Sequence, residues 1–344
     1  MKERKETGSV TIEDVALKAG VSRATAGRVI GNYGRTSEEV KKKVLDAAAE
    51  LQYFPNAMAQ SLRSKKTNTI AIVVDRISNH FFVKVIEAIE KAAFDSCYSV
   101  LICNTHEDIK NEITQLQSLK SRRVDAIILA PVYTETQKIR KKEINLYESD
   151  VPLVFIDYEP EGVKADSIVS ENYAGGYKAT QYLISLGHRN IGILTTDKFF
   201  TEKQRVAGYK KALEESNIEF QSTWLVKAEL QEFGQSTHAI KELLMVNDDI
   251  TAVLVVNNGL CAGTLVGIQE FGKRVPDDVS LIVWDDSEVT ELMNITTIAQ
   301  FPEFIGKAAF HRAMELINDK SKANEITKKS LAIELRTRNS CRRI

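Results

Sequence analysis

Residues 11–63 read TIEDVALKAGVSRATAGRVIGNYGRTSEEVKKKVLDAAAELQYFPNAMAQSLR and decide the fold of the N-terminal part of the chain. They contain three short helical patterns in succession, and Gly20 stands in the turn between the first two. Glycine adopts the backbone that such a turn requires without a steric penalty. A short apolar helix, a glycine turn and a second helix opened by Ser22 predict a helix-turn-helix, which places its second helix in the major groove of DNA.

Helix-capping residues mark where the three helices begin. Thr11 is followed three residues later by Asp14, which is the spacing of a capping box. Ser22 is the predicted cap of the second helix, and Ser37 that of the third, which is expected to end near residues 53–55. An ordinary three-helix bundle with a solvated basic face is the alternative, but the turn, the caps and the arginines together favour the helix-turn-helix.

The second helix carries the central candidates for DNA contact, because the first residues of such a helix face base edges and phosphates. Arginine binds guanine through two hydrogen bonds, and a threonine hydroxyl binds a phosphate. The residues predicted to contact DNA in this part of the chain are Thr11, Ser22, Arg23, Ala24, Thr25, Arg28, Arg35 and Ser37.

The same stretch resembles the N-terminus of the lactose-repressor (LacI/GalR) family of bacterial transcription regulators. The family pattern is T-I-x-D-V-A-x-x-A-G-V-S-x-x-T-V-S-R-V-L-N, followed by a helix that ends L-x-Y-x-P-N-x-x-A-x-x-L. The matching residues are Thr11, Asp14, Val15, Ala16, Ala19 to Ser22, Thr25, Arg28, Val29, Tyr53, Pro55, Asn56, Ala59 and Leu62. The chain departs from the pattern at Ala26-Gly27 and at Gly31, so the resemblance implies DNA binding more firmly than any operator sequence.

By this resemblance, residues 56–63 are a hinge helix, two copies of which lie in the minor groove at the centre of the operator. Asn56, Ala59 and Leu62 are its candidate DNA contacts, and Leu62 matches a leucine that wedges between base pairs. Such an apolar wedge costs a few kcal/mol of unstacking and gains contact with bent DNA. The alternative is that Leu62 is an apolar residue of a linker.

Charge is distributed unevenly along the chain. Residues 1–68 carry 13 Lys and Arg against 8 Asp and Glu, whereas the remaining residues carry 33 against 39. A basic head on an acidic body is typical of a protein that binds nucleic acid through the head alone.

The four cysteines and the absence of an apolar leader indicate the compartment. The cysteines lack the paired spacing of a metal site and are expected to be reduced thiols. No signal peptide or membrane-spanning run is visible in the sequence. We therefore expect a cytoplasmic protein with no membrane partner, no metal site and no cofactor.

From residue 69 onward, short β-branched runs alternate with amphipathic stretches, which is typical of an α/β fold with parallel strands. The predicted strands lie at residues 69–74, 99–105, 126–131, 153–158, 190–196, 251–258 and 279–286. The resemblance extends over this region and implies two lobes like those of periplasmic sugar-binding proteins, which close on a small molecule.

The predicted domains are a helix-turn-helix domain at 1–55, a hinge helix and linker at 56–68, and a two-lobed domain for effector binding and dimerisation at 69–344. The first lobe is expected over about 69–170 plus 299–325. The second lobe is expected over about 171–298 plus 326–344.

Polar and aromatic side chains follow the predicted strands, where open parallel sheets bind their ligands. Planar side chains with several donors hold the hydroxyls of a polyol, and aromatic rings offer apolar faces. The predicted effector-binding residues are Asn79, Phe81, Phe82, Arg205, Asn257, Asp285 and Gln300. The alternatives are a core role for Phe81 and Phe82, a helix cap at Asp285, a turn residue at Asn257 and a surface charge at Arg205.

Departures from the family pattern bear on the class of ligand. Arg76 stands where aspartate is common, and Arg76 or Lys198 near the cleft favours an acidic ligand. Trp284 is a further candidate ring face, and Leu230 falls near the place of a family aromatic. The expected effector is therefore a sugar, a sugar acid or a sugar phosphate.

These features predict a ligand-responsive repressor of sugar-utilisation genes that binds a pseudo-palindromic operator as a homodimer. Ligand closure of the cleft would change the order of the hinge helices. Because little sequence follows Arg338, we expect no tetramerisation helix. The alternatives are a stand-alone sugar-binding protein and an architectural DNA-binding protein without a ligand. An enzyme is not expected, since the sequence contains no catalytic motif and no catalytic residues are assigned.

Overall fold

A computed structural model of the protein describes residues 10–31, 33–54, 66–134, 147, 150–230 and 233–344. The chain divides into two compact units, Met1–Asn68 and Thr69–Ile344. The predicted hinge residues Asn56, Ala59 and Leu62 lie outside the described residues.

The first unit contains the three predicted helices, which are α1 (Ile12–Ala19), α2 (Arg23–Ile30) and α3 (Glu38–Glu50). The capping box is confirmed, because the Thr11 amide donates to Asp14 Oδ2 at 3.0 Å while the Asp14 amide donates to Thr11 Oγ1 at 3.4 Å. Gly20 has a φ of 66°, as the turn requires. Helix α3 ends at Glu50, before the predicted end, because the backbone turns to a positive φ of 49° at Gln52.

Small apolar side chains hold these helices together. Val15 of α1, Ala26 and Val29 of α2, and Val44 and Ala47 of α3 form a single buried cluster. Because the buried face of α2 is used for this core, the opposite face of α2 is left in solvent.

The second unit alternates strands and helices as the sequence predicted. Its strands are β1 (Thr69–Val74), β2 (Ser99–Asn104), β3 (Ala126–Leu129), β4 (Leu153–Asp157), β5 (Asp166–Ser170), β6 (Ile191–Thr195), β7 (Leu225–Lys227), β8 (Ala252–Val255), β9 (Ser280–Trp284), β10 (Thr296–Ala299), β11 (Lys328–Leu331) and β12 (Glu334–Arg336). Its helices are α4 (His80–Asp95), α5 (Ile109–Ser121), α6 (Asn172–Ser185), α7 (Phe200–Glu215), α8 (Phe233–Val246), α9 (Cys261–Glu270), α10 (Glu288–Leu292) and α11 (Pro302–Asn318). All seven predicted strands are present.

Two six-stranded sheets define the two lobes. The first sheet has the order β11-β5-β4-β3-β1-β2, and the second has the order β12-β10-β9-β8-β6-β7. Neighbouring strands run parallel except for β12, which pairs antiparallel with β10. Alternate residues of β1 belong to two different buried clusters, so the first sheet is covered by helices on both faces.

The chain crosses between the lobes more than once, and this corrects one predicted boundary. Strand β11 pairs parallel with β5, with Lys328 opposite Ser167, and therefore belongs to the first lobe. The assignment of all of 326–344 to the second lobe was wrong for this strand. The reason is that Lys328 and Lys329 lie at an exposed sheet edge, where a strand has no apolar pattern to reveal it.

No described helix has both the length and the apolar character needed to cross a membrane.

Close packing of α6 on α7 gives a direct test of the second lobe. A Cβ added at Gly176 of α6 would lie 2.0 Å from the backbone oxygen of Arg205 in α7. We expect Gly176→Ala to lower the free energy of unfolding by at least about 1–3 kcal/mol, because the backbone of α6 or α7 must move to make room for the methyl group. The matched control is Gly234→Ala in α8, where a Cβ would meet nothing within 4 Å. Thermal melting of both variants checks this, and an unchanged melting temperature for Gly176→Ala would contradict it.

Candidate functional site

The carboxyl ends of strands from both sheets surround one cleft in the second unit. Asp75 follows β1 and Asp157 ends β4 on the first lobe, while Asn257, Asp285 and Gln300 follow β8, β9 and β10 on the second. The cleft is also lined by every residue that the sequence assigned to effector binding, namely Asn79, Phe81, Phe82, Arg205, Asn257, Asp285 and Gln300. Their convergence is a structural fact, and their role in binding stays a prediction.

Arg205 is the cation of the cleft, and the protein holds it firmly. Its Nε donates to Asn172 Oδ1 at 2.8 Å, and its Nη1 donates to the carbonyl oxygen of Val256 at 2.7 Å. The guanidinium also lies 4.0 Å above the ring of Trp284, a cation–π contact. Burial lowers the pKa of Arg205, although nearby carboxylates oppose that shift. The side chain is thus fixed in place before any ligand arrives.

Trp284 does not line the cleft, so its predicted role as a ring face for the ligand was wrong. It is fully buried beneath Arg205. A Cβ added at Gly175 would lie 2.3 Å from the Trp284 ring, which shows how closely α6 covers it. The ring supports the guanidinium from below, and a ligand has no access to it.

Glu202 organises the second-lobe wall. Its Oε2 accepts hydrogen bonds from the hydroxyl of Thr195 at 2.8 Å and from the amides of Thr196 at 2.9 Å and Asp197 at 3.0 Å. Its Oε1 accepts from Asn257 Nδ2 at 2.6 Å. This buried carboxylate therefore fixes the loop after β6 and orients the amide of Asn257. Sequence reasoning missed it, because a glutamate in the first turn of a helix gives no local signal that separates a buried residue from a solvent-exposed one.

Asp285 is held in an unusual backbone conformation at the end of β9. Its φ is 65°, in the left-handed region that non-glycine residues seldom adopt. Its Oδ1 accepts from Gln300 Nε2 at 2.9 Å, so two predicted ligand-binding residues orient each other. The next residue, Asp286, binds Arg336 and also accepts from Arg338 Nη1 at 2.8 Å, which anchors the turn.

Two acidic residues of the first lobe were missed by the sequence analysis. Burial raises the pKa of Asp75 to about 7 and that of Asp157 to about 6. Asp75 Oδ1 is buried and has no hydrogen-bond partner among the described residues. Both follow or end strands, so the rule that selected Asp285 would have found them had it been applied to every strand.

Phe81 and Phe82 serve the core and the cleft at once. Both are buried in the first-lobe core, and their ring centroids lie 5.3 Å apart in an edge-on arrangement. Both also line the cleft. The side chain of Asn79 caps the same helix, accepting from the Phe81 amide at 3.0 Å. The two alternatives that the sequence left open for these phenylalanines are therefore compatible.

Basic residues at the mouth of the cleft are paired with carboxylates. Arg76 binds Glu107, and Lys198 binds Glu229. The expectation of an acidic ligand rested on Arg76 and Lys198, and it loses its basis because these pairs neutralise both cations. Leu230 lies at the mouth of the cleft near Arg76. The chain therefore has an aliphatic side chain near the place where the resemblance implied an aromatic one.

An aromatic cluster joins the two lobes next to the cleft. Phe200 at the start of α7 lies 5.8 Å from Tyr133 and 5.2 Å from Tyr158, measured between ring centroids. Tyr133 and Tyr158 follow strands of the first sheet, whereas Phe200 belongs to the second lobe. The contact ties the lobes together on one side of the cleft.

In the first unit, α2 presents a basic, solvent-exposed face. Arg23, Ala24 and Arg28 are exposed, and the helix contains no acidic residue. Arg23 forms an ion pair with Glu13 at 2.6 Å, and such an exposed pair is readily exchanged for a phosphate. Arg35 is also exposed.

The predicted hydroxyl contacts of the first unit are engaged in capping. The oxygen of Ser22 accepts from the Thr25 amide at 3.1 Å and lies 2.9 Å from the Thr25 hydroxyl. Thr11 and Ser37 cap α1 and α3. Their hydroxyls remain at the surface, so capping does not prevent contact with a phosphate.

Two comparisons with known families cover most of the chain. Residues 67–338 match the family described as periplasmic binding proteins and sugar binding domain of LacI family. Residues 11–56 match the family of bacterial regulatory proteins, lacI family.

Relatives and solved structures agree with these matches. A repressor from Vibrio campbellii, named HTH-type transcriptional repressor PurR, is 34% identical over 90% of this chain and 92% of its own. The structure of a lac repressor dimer bound to operator and the anti-inducer ONPF has a TM-score of 0.85 at 25% identity, over 97% of this chain and 99% of that one. A LacI family regulator from Enterococcus faecium with bound ribose has a TM-score of 0.69 at 25% identity, over 80% and 99%.

The fold and the cleft define a class of protein in which a helix-turn-helix head is joined to a two-lobed, periplasmic-binding-protein-like domain. The chain belongs to the LacI family of bacterial regulatory proteins. It is accordingly a DNA-binding transcription regulator and not an enzyme, as the sequence predicted.

The buried carboxyl of Asp75 predicts a pH-dependent change in stability. Its pKa in the folded protein is about 7, above its ordinary value of 3.8, so its ionisation opposes folding increasingly as the pH rises through that interval. We expect Asp75→Asn to raise the melting temperature of the protein clearly at pH 8 and much less at pH 5. The gain in the free energy of unfolding should differ between the two pH values by a few kcal/mol.

The matched control for this experiment is Asp95→Asn, which removes an exposed carboxylate. Calorimetry at both pH values should show little pH dependence in the effect of this control. An Asp75→Asn effect of the same size at pH 5 and pH 8 would contradict the assignment.

Proposed function

We propose that this protein is a ligand-responsive transcriptional repressor that binds a pseudo-palindromic operator as a dimer, and that its effector is a sugar carrying no acidic group. The observation that carries the proposal is the cleft itself. Side chains that follow four separate strands, together with the start of α4 and the middle of α7, meet in one cavity at the carboxyl ends of both sheets.

The chemistry of the cleft favours a polyol without an acidic group. Asp285, Asn257 and Gln300 offer the paired acceptors and donors that vicinal hydroxyls bind. Arg205 supplies a fixed donor, since Nη2 has no hydrogen-bond partner among the described residues. Phe81 and Phe199 add apolar surface. An anion is disfavoured because acidic side chains outnumber this single fixed arginine in the lining.

A purine base is the second candidate effector. It is favoured by the relatives named PurR, which are 31–34% identical to this chain. The cleft offers Phe81 and Phe199 to a planar ring and Asp285 to ring N–H groups. The weaker point of this candidate is that the described lining of the cleft contains several carboxylates but one fixed arginine to bind the acceptor atoms of the base.

The proposed switch couples cleft closure to DNA binding. The aromatic contact of Phe200 with Tyr133 and Tyr158 crosses the boundary between the lobes. A ligand that is held by both lobes would favour a closed arrangement of the lobes over an open one. Such differential affinity is what allows a ligand to change the affinity of a second site. We base the proposal that the protein binds its operator as a dimer on the solved structure of a similar protein, a lac repressor dimer bound to operator.

A panel of ligands tests the effector class. We expect ribose, glucose, galactose or cellobiose to raise the melting temperature of the full chain, whereas gluconate, glucose 6-phosphate and ribose 5-phosphate do not. A ligand at 100 times its dissociation constant stabilises the protein by about 2.7 kcal/mol. Hypoxanthine and guanine form the competing arm of the panel. Stabilisation by the acids or phosphates alone would contradict the proposal, and stabilisation by the purines alone would favour the second candidate.

A matched pair of variants shows whether a hit binds in this cleft. Asn257→Ala removes the side-chain amide that Glu202 orients and should weaken binding at least tenfold. Gln269→Ala removes an exposed amide on α9 and should leave the affinity unchanged. Equal affinities for both variants in a calorimetric titration would place the ligand elsewhere.

The exposed arginines of α2 predict the DNA interface. We expect Arg28→Ala to weaken binding of the full chain to a duplex selected in vitro by the wild-type protein, by about 1–3 kcal/mol if Arg28 contacts a base. If Arg28 contacts only a phosphate, the slope of log affinity against log salt should fall by about 1. The control is Lys241→Ala, which removes a cation from the other unit. Wild-type affinity and salt slope for Arg28→Ala would refute this assignment.

A further inference from the structure

Asp75 is the one acidic side chain of the cleft lining that has a buried oxygen without a hydrogen-bond partner among the described residues. That atom is Oδ1, and the residue lines the inner cleft as it leaves β1. A buried carboxylate oxygen without a donor is costly, and native proteins seldom retain one unless a bound group satisfies it.

The other acidic residues around the cleft are compensated from within the second lobe. Both oxygens of Glu202 accept hydrogen bonds from the protein. Asp285 accepts from Gln300 and lies close enough to Arg205 for the two charges to interact. On the first lobe, Asp157 has no hydrogen bond to a described side chain, and its charge adds to that of Asp75. Arg205 of the second lobe offsets part of the charge of Asp157, so the carboxyl of the first-lobe wall with a buried oxygen that no described residue satisfies is that of Asp75.

The nearby basic side chains offset the charge of Asp75 only in part: Arg76 lowers the pKa of Asp75, but burial and Asp157 raise it more, and no described side chain donates to its Oδ1. Arg76 is committed to Glu107, with its guanidinium 5.9 Å from the Phe199 ring centroid. Lys198 is committed to Glu229 on the second lobe. A cation that reached Asp75 from the solvent or from a ligand would meet little competition from these groups.

Space and aromatic surface are present beside Asp75. The residue also lines an outer cavity that continues from the cleft toward solvent, together with Phe199, Lys198 and Tyr133, and the ammonium of Lys203 lies 5.1 Å from the Tyr133 ring centroid. Carboxylates and aromatic rings together are the surroundings that an ammonium group prefers. A substituent on a ligand held at Arg205 and Asp285 can therefore extend toward Asp75 without a change in the fold.

We propose that the first-lobe wall at Asp75 and Asp157 is a subsite for a protonated amine, so that the effector is a sugar bearing an amino group. This inference rests on the proposed function and specifies the ligand of the same cleft. The second lobe binds the hydroxyls, and the first lobe selects for the charge. A ligand that engages both lobes in this way is also the kind that stabilises their closed arrangement.

Matched pairs of sugars test the subsite on the full chain. Glucosamine, galactosamine and mannosamine are each compared with glucose, galactose and mannose, and with the N-acetylated form, which keeps the size but loses the charge. We expect at least one amine to bind at least tenfold more tightly than both of its neutral counterparts in calorimetric titrations. In Asp75→Asn that advantage should fall to threefold or less, while Asp95→Asn, an exposed control, keeps it in full.

The outcomes separate this inference from the function on which it rests. Neutral sugars that bind as tightly as their amines, or an amine advantage that survives in Asp75→Asn, would overturn the amine subsite and leave the sugar-responsive function standing. Absence of binding by every sugar of both sets, with binding by sugar phosphates or purines instead, would overturn both. Circular dichroism of Asp75→Asn shows whether a loss of binding reflects loss of the fold.

Discussion

The buried guanidinium of Arg205 is the interaction on which the rest of the cleft depends. A cation inside a protein is stable only when its charge and its donors are compensated. Here Asn172 and the Val256 carbonyl accept its hydrogen bonds, Trp284 lies beneath it, and Asp285 balances its charge. These partners come from α6, from β9 and from the turns after β8 and β9, so fixing one side chain fixes the geometry of the whole wall.

The same constraint explains the close helix packing behind the site. Gly176 allows α6 to contact the backbone of α7 at Arg205, and Gly208 allows the reciprocal approach to Tyr173. The cost of this design is a lobe that tolerates few changes near its glycines. The gain is a preorganised binding wall, which reduces the entropy that a ligand must lose on binding. The first lobe differs, because Oδ1 of Asp75 in its acidic wall is buried and has no hydrogen-bond partner among the described residues.

Much of this architecture could be predicted from sequence, and the failures have physical causes. Strands such as β1 and β8 are buried on both faces and give continuous apolar runs, whereas β11 lies at an exposed edge and gives no such signal. The ends of predicted strands identified Asn257 and Asp285, whereas Gln300 was identified only by the resemblance to the family. The role of Trp284 and the pairing of Arg76 with Glu107 depend on tertiary packing, which no local pattern records.

The central claim is that occupancy of the Arg205 cleft changes the affinity of the protein for DNA. Fluorescence anisotropy of a labelled operator duplex, with and without a sugar that stabilises the protein, measures this directly in the wild type and in Arg205→Gln. We expect the sugar to change the dissociation constant for DNA by about 5- to 150-fold in the wild type, the usual range of allosteric coupling, and to have no effect in the variant. An unchanged DNA affinity in the wild type at saturating sugar, or an equal change in Arg205→Gln, would contradict the account.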